Sequence, residues 1–210
     1  MTRILSLTDD VVADLAKEAA DVLRSGGVVL YPTDTLYGLG ADALSNEAVD
    51  RVYAVKGRDP KKPMHAIVKS VETAQSYGEI TEEARRLAAR FWPGPLTLVL
   101  KKKSVVRTGI ARDMDTIGLR VPQNQFCRAL CEAFGGLITT TSANISGAPP
   151  VFRPADILAQ LGNHADRIDL VIDAGVLPES KPSTLIDLST DTLTLLREGK
   201  ISIEEIEAAR

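Results

Sequence analysis

Segments with helical periodicity alternate with short apolar runs along nearly the whole chain. Apolar side chains recur at helical spacing after residue 11, after Ser45, after Thr81, from Phe126 and from Pro154. Runs typical of strands lie between them, at 28–31, 66–68, 96–100, 118–121, 137–141, 170–172 and 184–188. Strands that alternate with helices predict an α/β fold with helices packed on a sheet. A polar turn before residues 192–196 predicts a hairpin with 184–188, so the sheet should be mixed.

The charge of the chain is unevenly distributed, although the total for its 210 residues is only −3. Residues 51–128 carry 16 basic and 7 acidic side chains, and the rest of the chain carries 9 basic and 21 acidic ones. A local excess of positive charge predicts an anionic partner for the middle third. Part of this charge could equally be ordinary solvated surface.

Several common functional patterns do not occur in the sequence. There is no phosphate-binding P-loop motif, no complete dinucleotide fingerprint around Gly38 and Gly40, and no Gly-x-Ser-x-Gly motif. The two histidines, His65 and His164, have no spacing that predicts zinc, so no metal site is predicted. No apolar stretch approaches the ~18 residues of a spanning helix, and no secretory signal is visible, so we expect a cytoplasmic protein without a membrane partner.

Two segments rich in hydroxyl groups each follow a predicted strand. Residues 31–40 carry Thr33, Thr35 and Tyr37, and residues 139–147 combine threonines and serines with Asn144. Such side chains can hydrogen-bond a small polar ligand, or they can tie down their own turn. Composition leaves both interpretations open.

Basic side chains mark a loop that follows the second predicted helix. Lys56, Arg58, Lys61 and Lys62 lie in a segment that also contains glycine and proline. Arginine offers a bidentate fork and lysine a point charge, a combination that suits phosphate oxygens, although a plain surface loop could have this composition. Arg120, flanked by apolar residues, is either salt-bridged in the sheet or directed into a cleft.

Taken in order, these segments resemble the YrdC/TsaC-like family, whose characterised members are threonylcarbamoyl-AMP synthases. The resemblance runs from about residue 10 to 200 and rests on residues 32–38, 56–58, 92–97, 120–122, 142–147, 183–184 and 197–199. It implies a single YrdC-like domain over residues 1–210, with its core at about 10–200. It also implies a large twisted mixed sheet flanked by helices, with a concave and positively charged face.

The resemblance implies an enzyme, a nucleotidyltransferase that uses ATP with Mg²⁺. L-threonine, bicarbonate or CO₂, and ATP would give threonylcarbamoyl-AMP and pyrophosphate, for the threonylcarbamoyl modification of adenosine 37 in tRNA. The implied partners include the proteins that later transfer the threonylcarbamoyl group to tRNA. Direct contact with tRNA or double-stranded RNA is left open.

The motifs of the family also imply roles for individual residues. Catalytic roles fall on Lys56, Arg58, Ser142 and Asn144. Contacts with ATP fall on Arg58, Lys62, Thr140 and Arg197, and contacts with threonine fall on Thr35, Arg120, Ser142 and Ser183. Many synthases carry a histidine two positions after His65, so the role of that histidine is not carried over.

The sequence is also compatible with two alternative functions. The first is a non-catalytic YrdC-like RNA-binding paralogue that uses the basic middle third, although only 4% of the residues are aromatic and few could stack on bases. The second is a carbamoyl-transfer relative that uses carbamoyl phosphate. Such relatives usually carry zinc-type cysteine pairs, whereas Cys127 and Cys131 lie four residues apart in a predicted helix, a spacing typical of buried thiols.

Overall fold

A computed structural model describes residues 2–210; Met1, where the predicted domain begins, lies outside the described residues. The strands are β1 (Arg3–Ser6), β2 (Val29–Pro32), β3 (Tyr37–Gly40), β4 (His65–Ile67), β5 (Leu96–Lys101), β6 (Thr116–Arg120), β7 (Ile138–Ser142), β8 (Leu170–Asp173), β9 (Thr184–Asp187) and β10 (Thr194–Arg197). The helices are α1 (Val12–Arg24), α2 (Asn46–Lys56), α3 (Val71–Gln75), α4 (Glu82–Phe91), α5 (Gln125–Phe134), α6 (Pro154–Leu161) and α7 (Ile203–Glu207).

The ten strands form one sheet in the order β1-β8-β2-β3-β7-β4-β6-β5-β9-β10. Parallel pairs such as β4 with β6 and β5 with β9 occur beside antiparallel pairs such as β2 with β3 and β9 with β10. The predicted α/β fold with a mixed sheet is therefore confirmed, as is the late hairpin.

Helix ends follow the capping signals that the sequence contains. Ser45 and Thr81 accept hydrogen bonds from backbone N–H groups in the first turns of α2 and α4. Ser202 and Glu205 form a capping box at α7. Gly57 ends α2 in the left-handed region, at φ 56°, so the chain turns sharply straight after Lys56.

The buried apolar side chains of the sheet belong to two separate clusters. The larger includes residues of α2, α4, α6 and α7, and the smaller joins α1 and α5 to alternate residues of the strands, including Val29, Tyr31, Ile67 and Ile138. Cys127 and Cys131 lie in the smaller cluster as free buried thiols, as predicted.

Three elements were not predicted from the sequence: β1, β3 and α3. Strand β3 is the most informative, because the hydroxyl-rich residues 31–40 predict a polar turn there and the structure has a strand at Tyr37–Gly40. Gly38 and Gly40 lower the strand propensity of this segment. The sheet needs a small residue there: a Cβ atom on Gly40 would lie 2.6 Å from Cε1 of Tyr31. Close packing against Tyr31 thus favours glycine within a strand.

The helices leave part of one sheet face uncovered. His65 and Ile67 point to the same side of β4, and Thr140 and Ile138 to the same side of β7, because side chains two residues apart share a face. Ile67 and Ile138 are covered within the α1 and α5 cluster, whereas His65 and Thr140 line an open cleft.

Within residues 2–210, no helix is both long and apolar enough to cross a membrane.

Candidate active site

The cleft lies over the central strands and is open to solvent on one side. Hydroxyl and guanidinium groups converge on it from many elements: its lining includes Thr33, Thr35, Gly38, Arg58, His65, Arg120, Thr140, Thr141, Ser142, Ser183 and Arg197. Such a lining suits a small, polar and anionic ligand.

Arg120, at the end of β6, is buried but lines this cleft. Its Nε–H donates to the Gly94 carbonyl at 2.9 Å, Nη1 donates to Oγ1 of Thr35 at 3.3 Å, and Nη2 donates to Oδ1 of Asp34 at 2.6 Å. A guanidinium has five N–H donors. Two donors, one on each terminal nitrogen, therefore remain for a ligand.

Arg58 is directed into the cleft by the end of α2. The left-handed turn at Gly57 allows the Arg58 N–H to donate to the Tyr53 carbonyl at 3.1 Å, and Nη2 donates to the Pro63 carbonyl at 3.0 Å. The Nε atom is buried without a hydrogen-bond partner. A buried, unpaired guanidinium N–H is costly unless a ligand accepts from it, which points to an anion at this position.

Lys56 lies beneath the loop that follows β7. Its side chain is buried, and Nζ donates to the carbonyls of Ser142 and Asn144 and, at 3.4 Å, to Oδ1 of Asn144. Ser142 Oγ in turn donates to that same Oδ1 at 2.5 Å. Burial, with a smaller contribution from the nearby Arg58 charge, lowers the pKa of Lys56 to about 7. The three oxygen acceptors match the three donors of the ammonium form.

Arg197, the last residue of β10, completes the cationic side of the cleft. Its Nε and Nη2 atoms both donate to the Ser183 carbonyl, at 3.2 and 2.9 Å, and Ser183 Oγ lies 2.9 Å from Oγ1 of Thr97. Partial burial, followed by repulsion from Arg120 and Arg58, lowers the pKa of Arg197. The positive charges of Arg120 and Arg58 thus act on Arg197 within one cleft.

His65, on β4, lies on the floor of the cleft. A Cβ atom on Gly118, its neighbour on β6, would lie 2.8 Å from the His65 Cβ, so glycine there makes room for the histidine. Burial, and then the charges of Arg197, Arg120, Arg58 and Lys56, lower the pKa of His65 to about 3. The imidazole is therefore neutral at any physiological pH.

A second, more apolar cavity adjoins the first. Both are lined by Arg58, Pro63, Met64, His65 and Leu185. The second continues over Val99, Ile110, Ile117 and Leu196. The two form one cleft with a polar half and an apolar half.

The structure brings most of the predicted site residues together. The polar half is lined by Thr35, Arg58, Arg120, Thr140, Ser142, Ser183 and Arg197. Lys56 and Asn144 lie behind this surface, bonded to each other, and Lys62 lies on an exposed loop outside the lining. The lining also includes Gly38, Pro63, Met64 and Leu185, which were not predicted as site residues from the sequence. Only Leu185 had a local signal, because it directly follows Thr184 at the start of a predicted strand.

No group of three or more His, Cys, Asp or Glu side chains within residues 2–210 is placed to hold a metal ion.

Fold and cleft together define an α/β protein with a site for small anionic ligands. The family model Sua5_yciO_yrdC, described as "Telomere recombination", matches residues 21–199. The chain belongs to this Sua5/YciO/YrdC family, which confirms the resemblance seen in the sequence.

Individual relatives agree with this membership. Threonylcarbamoyl-AMP synthase of Pyrococcus abyssi is 39% identical over 208 residues, which are 99% of this chain and 60% of that protein. A putative threonylcarbamoyl-AMP synthase of Methanocaldococcus jannaschii is 37% identical over 184 residues, 88% of this chain and 85% of that protein. The crystal structure of P. abyssi Sua5 complexed with L-threonine has a TM-score of 0.89 at 37% identity, and covers 100% of this chain and 60% of that one. This chain thus spans about 60% of the length of the P. abyssi relative.

Proposed function

We propose that this protein is a threonylcarbamoyl-AMP synthase. It would convert L-threonine, bicarbonate or CO₂, and ATP into threonylcarbamoyl-AMP and pyrophosphate. The observation that carries the proposal is the convergence of Arg58, Arg120 and Arg197 on one hydroxyl-lined cleft. The similarity to P. abyssi Sua5, a protein crystallised with L-threonine, supports threonine as one substrate.

Threonine is assigned to the side of the cleft formed by Arg120 and Thr35. The two free N–H groups of Arg120 suit a carboxylate, which accepts two parallel hydrogen bonds from one guanidinium. Hydroxyl groups of Ser142 and Ser183 lie in the same lining and would orient the amine and the side-chain hydroxyl.

ATP is assigned to the arginines that have no carboxylate partner and to the apolar half of the cleft. Arg58 and Arg197 would neutralise the phosphates, and Thr140 would donate a hydrogen bond to them. The apolar half, which includes Val99, Ile110 and Ile117, would cover the adenine. Lys62, on its exposed loop, would reach the triphosphate only from the solvent side.

The reaction needs two bond-forming steps. The threonine amine adds to CO₂ and loses a proton to give a carbamate. A carbamate oxygen then attacks the α-phosphorus of ATP, and the bond to the β-phosphate oxygen breaks as pyrophosphate leaves. Positioning and charge neutralisation are the main contributions that a protein makes to such transfers. Arg58 and Arg197 would stabilise the charge on the leaving pyrophosphate, and Lys56 would hold the loop that carries Ser142.

The donor set of the cleft does not fit a dedicated Mg²⁺ site. Mg²⁺ prefers carboxylate and water oxygens in octahedral geometry, whereas the polar half presents hydroxyls and cations. Mg²⁺ would therefore enter as part of the substrate, on the phosphates of ATP. The product would pass, in the cytoplasm, to proteins that transfer the threonylcarbamoyl group to tRNA.

Omission of each substrate in turn tests the proposal. Purified protein is incubated with ATP, L-threonine, bicarbonate and Mg²⁺, and pyrophosphate release is measured. Release that requires both threonine and bicarbonate is expected. Pyrophosphate release indifferent to threonine, or salt-sensitive RNA binding without any turnover, would contradict it and favour the non-catalytic alternative.

A further inference from the structure

Asp34 makes the shortest polar contact to the cleft arginines without lining the cleft itself. It lies in the turn between β2 and β3, and its Oδ1 accepts from Nη2 of Arg120 at 2.6 Å. The side chains of Arg120 and Asp34 are 4% and 16% exposed, so water screens this ion pair little. Asp34 therefore acts on the site through Arg120.

The turn that carries Asp34 is held on both sides. Thr33 Oγ1 donates to the Leu36 carbonyl at 2.7 Å and accepts from the backbone N–H of Thr35 at 3.0 Å. On the other side, Lys200 Nζ donates to the carbonyl of Asp34 at 3.3 Å. A carboxylate on such a fixed turn can hold a guanidinium in one orientation.

Asp34 also makes Arg120 differ in charge from the other arginines of the cleft, because its carboxylate neutralises the Arg120 guanidinium. Within residues 2–210, Arg58 and Arg197 make no ion pair with a carboxylate, whereas Arg120 does. The pair of Arg120 and Asp34 has no net charge but keeps two free N–H donors. Phosphate groups, with their higher charge, would therefore favour Arg58 and Arg197, and a monoanionic carboxylate could bind Arg120.

We propose that Asp34 is a positioning residue that reserves Arg120 for the carboxylate of the amino-acid substrate and keeps phosphate away from it. This inference rests on the proposed function. It predicts that loss of the Asp34 charge weakens threonine binding selectively and opens Arg120 to phosphate.

The test compares wild type with Asp34→Asn and uses Asp50→Asn as the matched control. Asp50 pairs with Nη2 of Arg112 at the same 2.6 Å but outside the polar half of the cleft. KM values for threonine and ATP are measured by pyrophosphate release, and inorganic phosphate is used as an inhibitor. For Asp34→Asn we expect a threonine KM raised about tenfold to a hundredfold, as for an ~1 Å misplacement of a binding group, an unchanged ATP KM, and phosphate that now competes with threonine.

Equal threonine KM values in wild type and Asp34→Asn, or equal increases for both substrates, would overturn the positioning role alone. Wild type without threonine-dependent turnover would overturn the proposed function and this inference together. If Asp34→Asn does not fold, Asp34→Glu is tested instead. This variant keeps the negative charge but moves the carboxylate relative to Arg120. A threonine KM selectively raised in Asp34→Glu supports the inference, and an unchanged one overturns it.

Discussion

The Nζ atom of Lys56 lies 2.9 Å from the carbonyl oxygen of Asn144. This contact joins the end of α2 to the loop after β7, and the Ser146 N–H strengthens the junction by donating to the Lys56 carbonyl at 3.0 Å. Two motifs that are 86 residues or more apart in sequence are therefore one structural unit. Lys56 holds the loop after β7 from behind the cleft surface, and Arg58, two residues later, lines the cleft.

The stability of the fold should depend on pH through Lys56. Its folded pKa of about 7 lies below the usual lysine value of 10.5, so between these values the unfolded chain binds more protons and stability rises with pH. Below pH 7 the penalty for burying the charge is fully present. Relative to Lys56→Met, wild type should gain at most about 1.4 kcal/mol per pH unit above pH 7. Urea unfolding of both proteins from pH 6 to 9 measures this, and a constant difference would contradict it.

Arg58→Ala should reduce turnover strongly. Loss of one group that stabilises developing charge costs about 10²–10³ in kcat in comparable sites, so pyrophosphate release should fall by about two orders of magnitude. Arg86→Ala is the control, since Arg86 is exposed on α4, no residue of which lines the cleft. Near-normal pyrophosphate release by Arg58→Ala would refute the assignment.

His65 should not titrate between pH 5 and 8, because its pKa is about 3. Arg197→Ala removes the nearby charge with the largest effect on the imidazole and should raise this pKa. Two-dimensional NMR of the imidazole nitrogens measures the pKa of His65 in wild type and in Arg197→Ala. A His164→Asn variant assigns the signals to the two histidines. In activity assays, His65→Gln should leave the shape of the pH profile unchanged. A titration midpoint near 6.5 in wild type would show that burial and the nearby positive charges do not lower the pKa of His65 as described.

Gly199→Ala should disturb the cleft from outside it. A Cβ atom there would overlap the Pro182 carbonyl oxygen and the backbone of Ser183, neither of which can move like a flexible side chain. Overpacking of this kind costs about 1–3 kcal/mol, and the shift should displace Ser183 from Arg197. We expect a lower melting temperature and a raised ATP KM, with exposed Glu198→Ala as the control. Unchanged values would show that the segment relaxes freely.

Sequence reasoning succeeded where local patterns decide the structure. The strand at 137–141 and the helices after Ser45 and Thr81 were predicted from local patterns, and Ser45 and Thr81 cap those helices with their own side chains. The mixed sheet followed from the alternation of elements and the late hairpin. All of these features depend on residues close together in the chain.

Features that depend on distant contacts could not be predicted. The strand at 37–40 is favoured by packing against Tyr31 rather than by its own glycines. Lysine is normally exposed, so nothing local indicated that Lys56 would be buried beneath residues 142–144. The basic excess of residues 51–128 predicted an anionic partner, yet Lys102 Nζ donates to the Ala111 carbonyl at 2.8 Å, so this lysine has a structural contact.

The pairing of β5 with β9 has a consequence for synthesis of the protein. Residue 96 aligns with residue 184, so the sheet beneath the cleft is complete only when the segment that carries residue 184 is available. Contacts of such long range close late and slowly in folding. A chain that still lacks this segment therefore also lacks Ser183 and Arg197 in the lining of the cleft. Binding of any ligand that needs Ser183 and Arg197 would thus report that β9 has paired with β5.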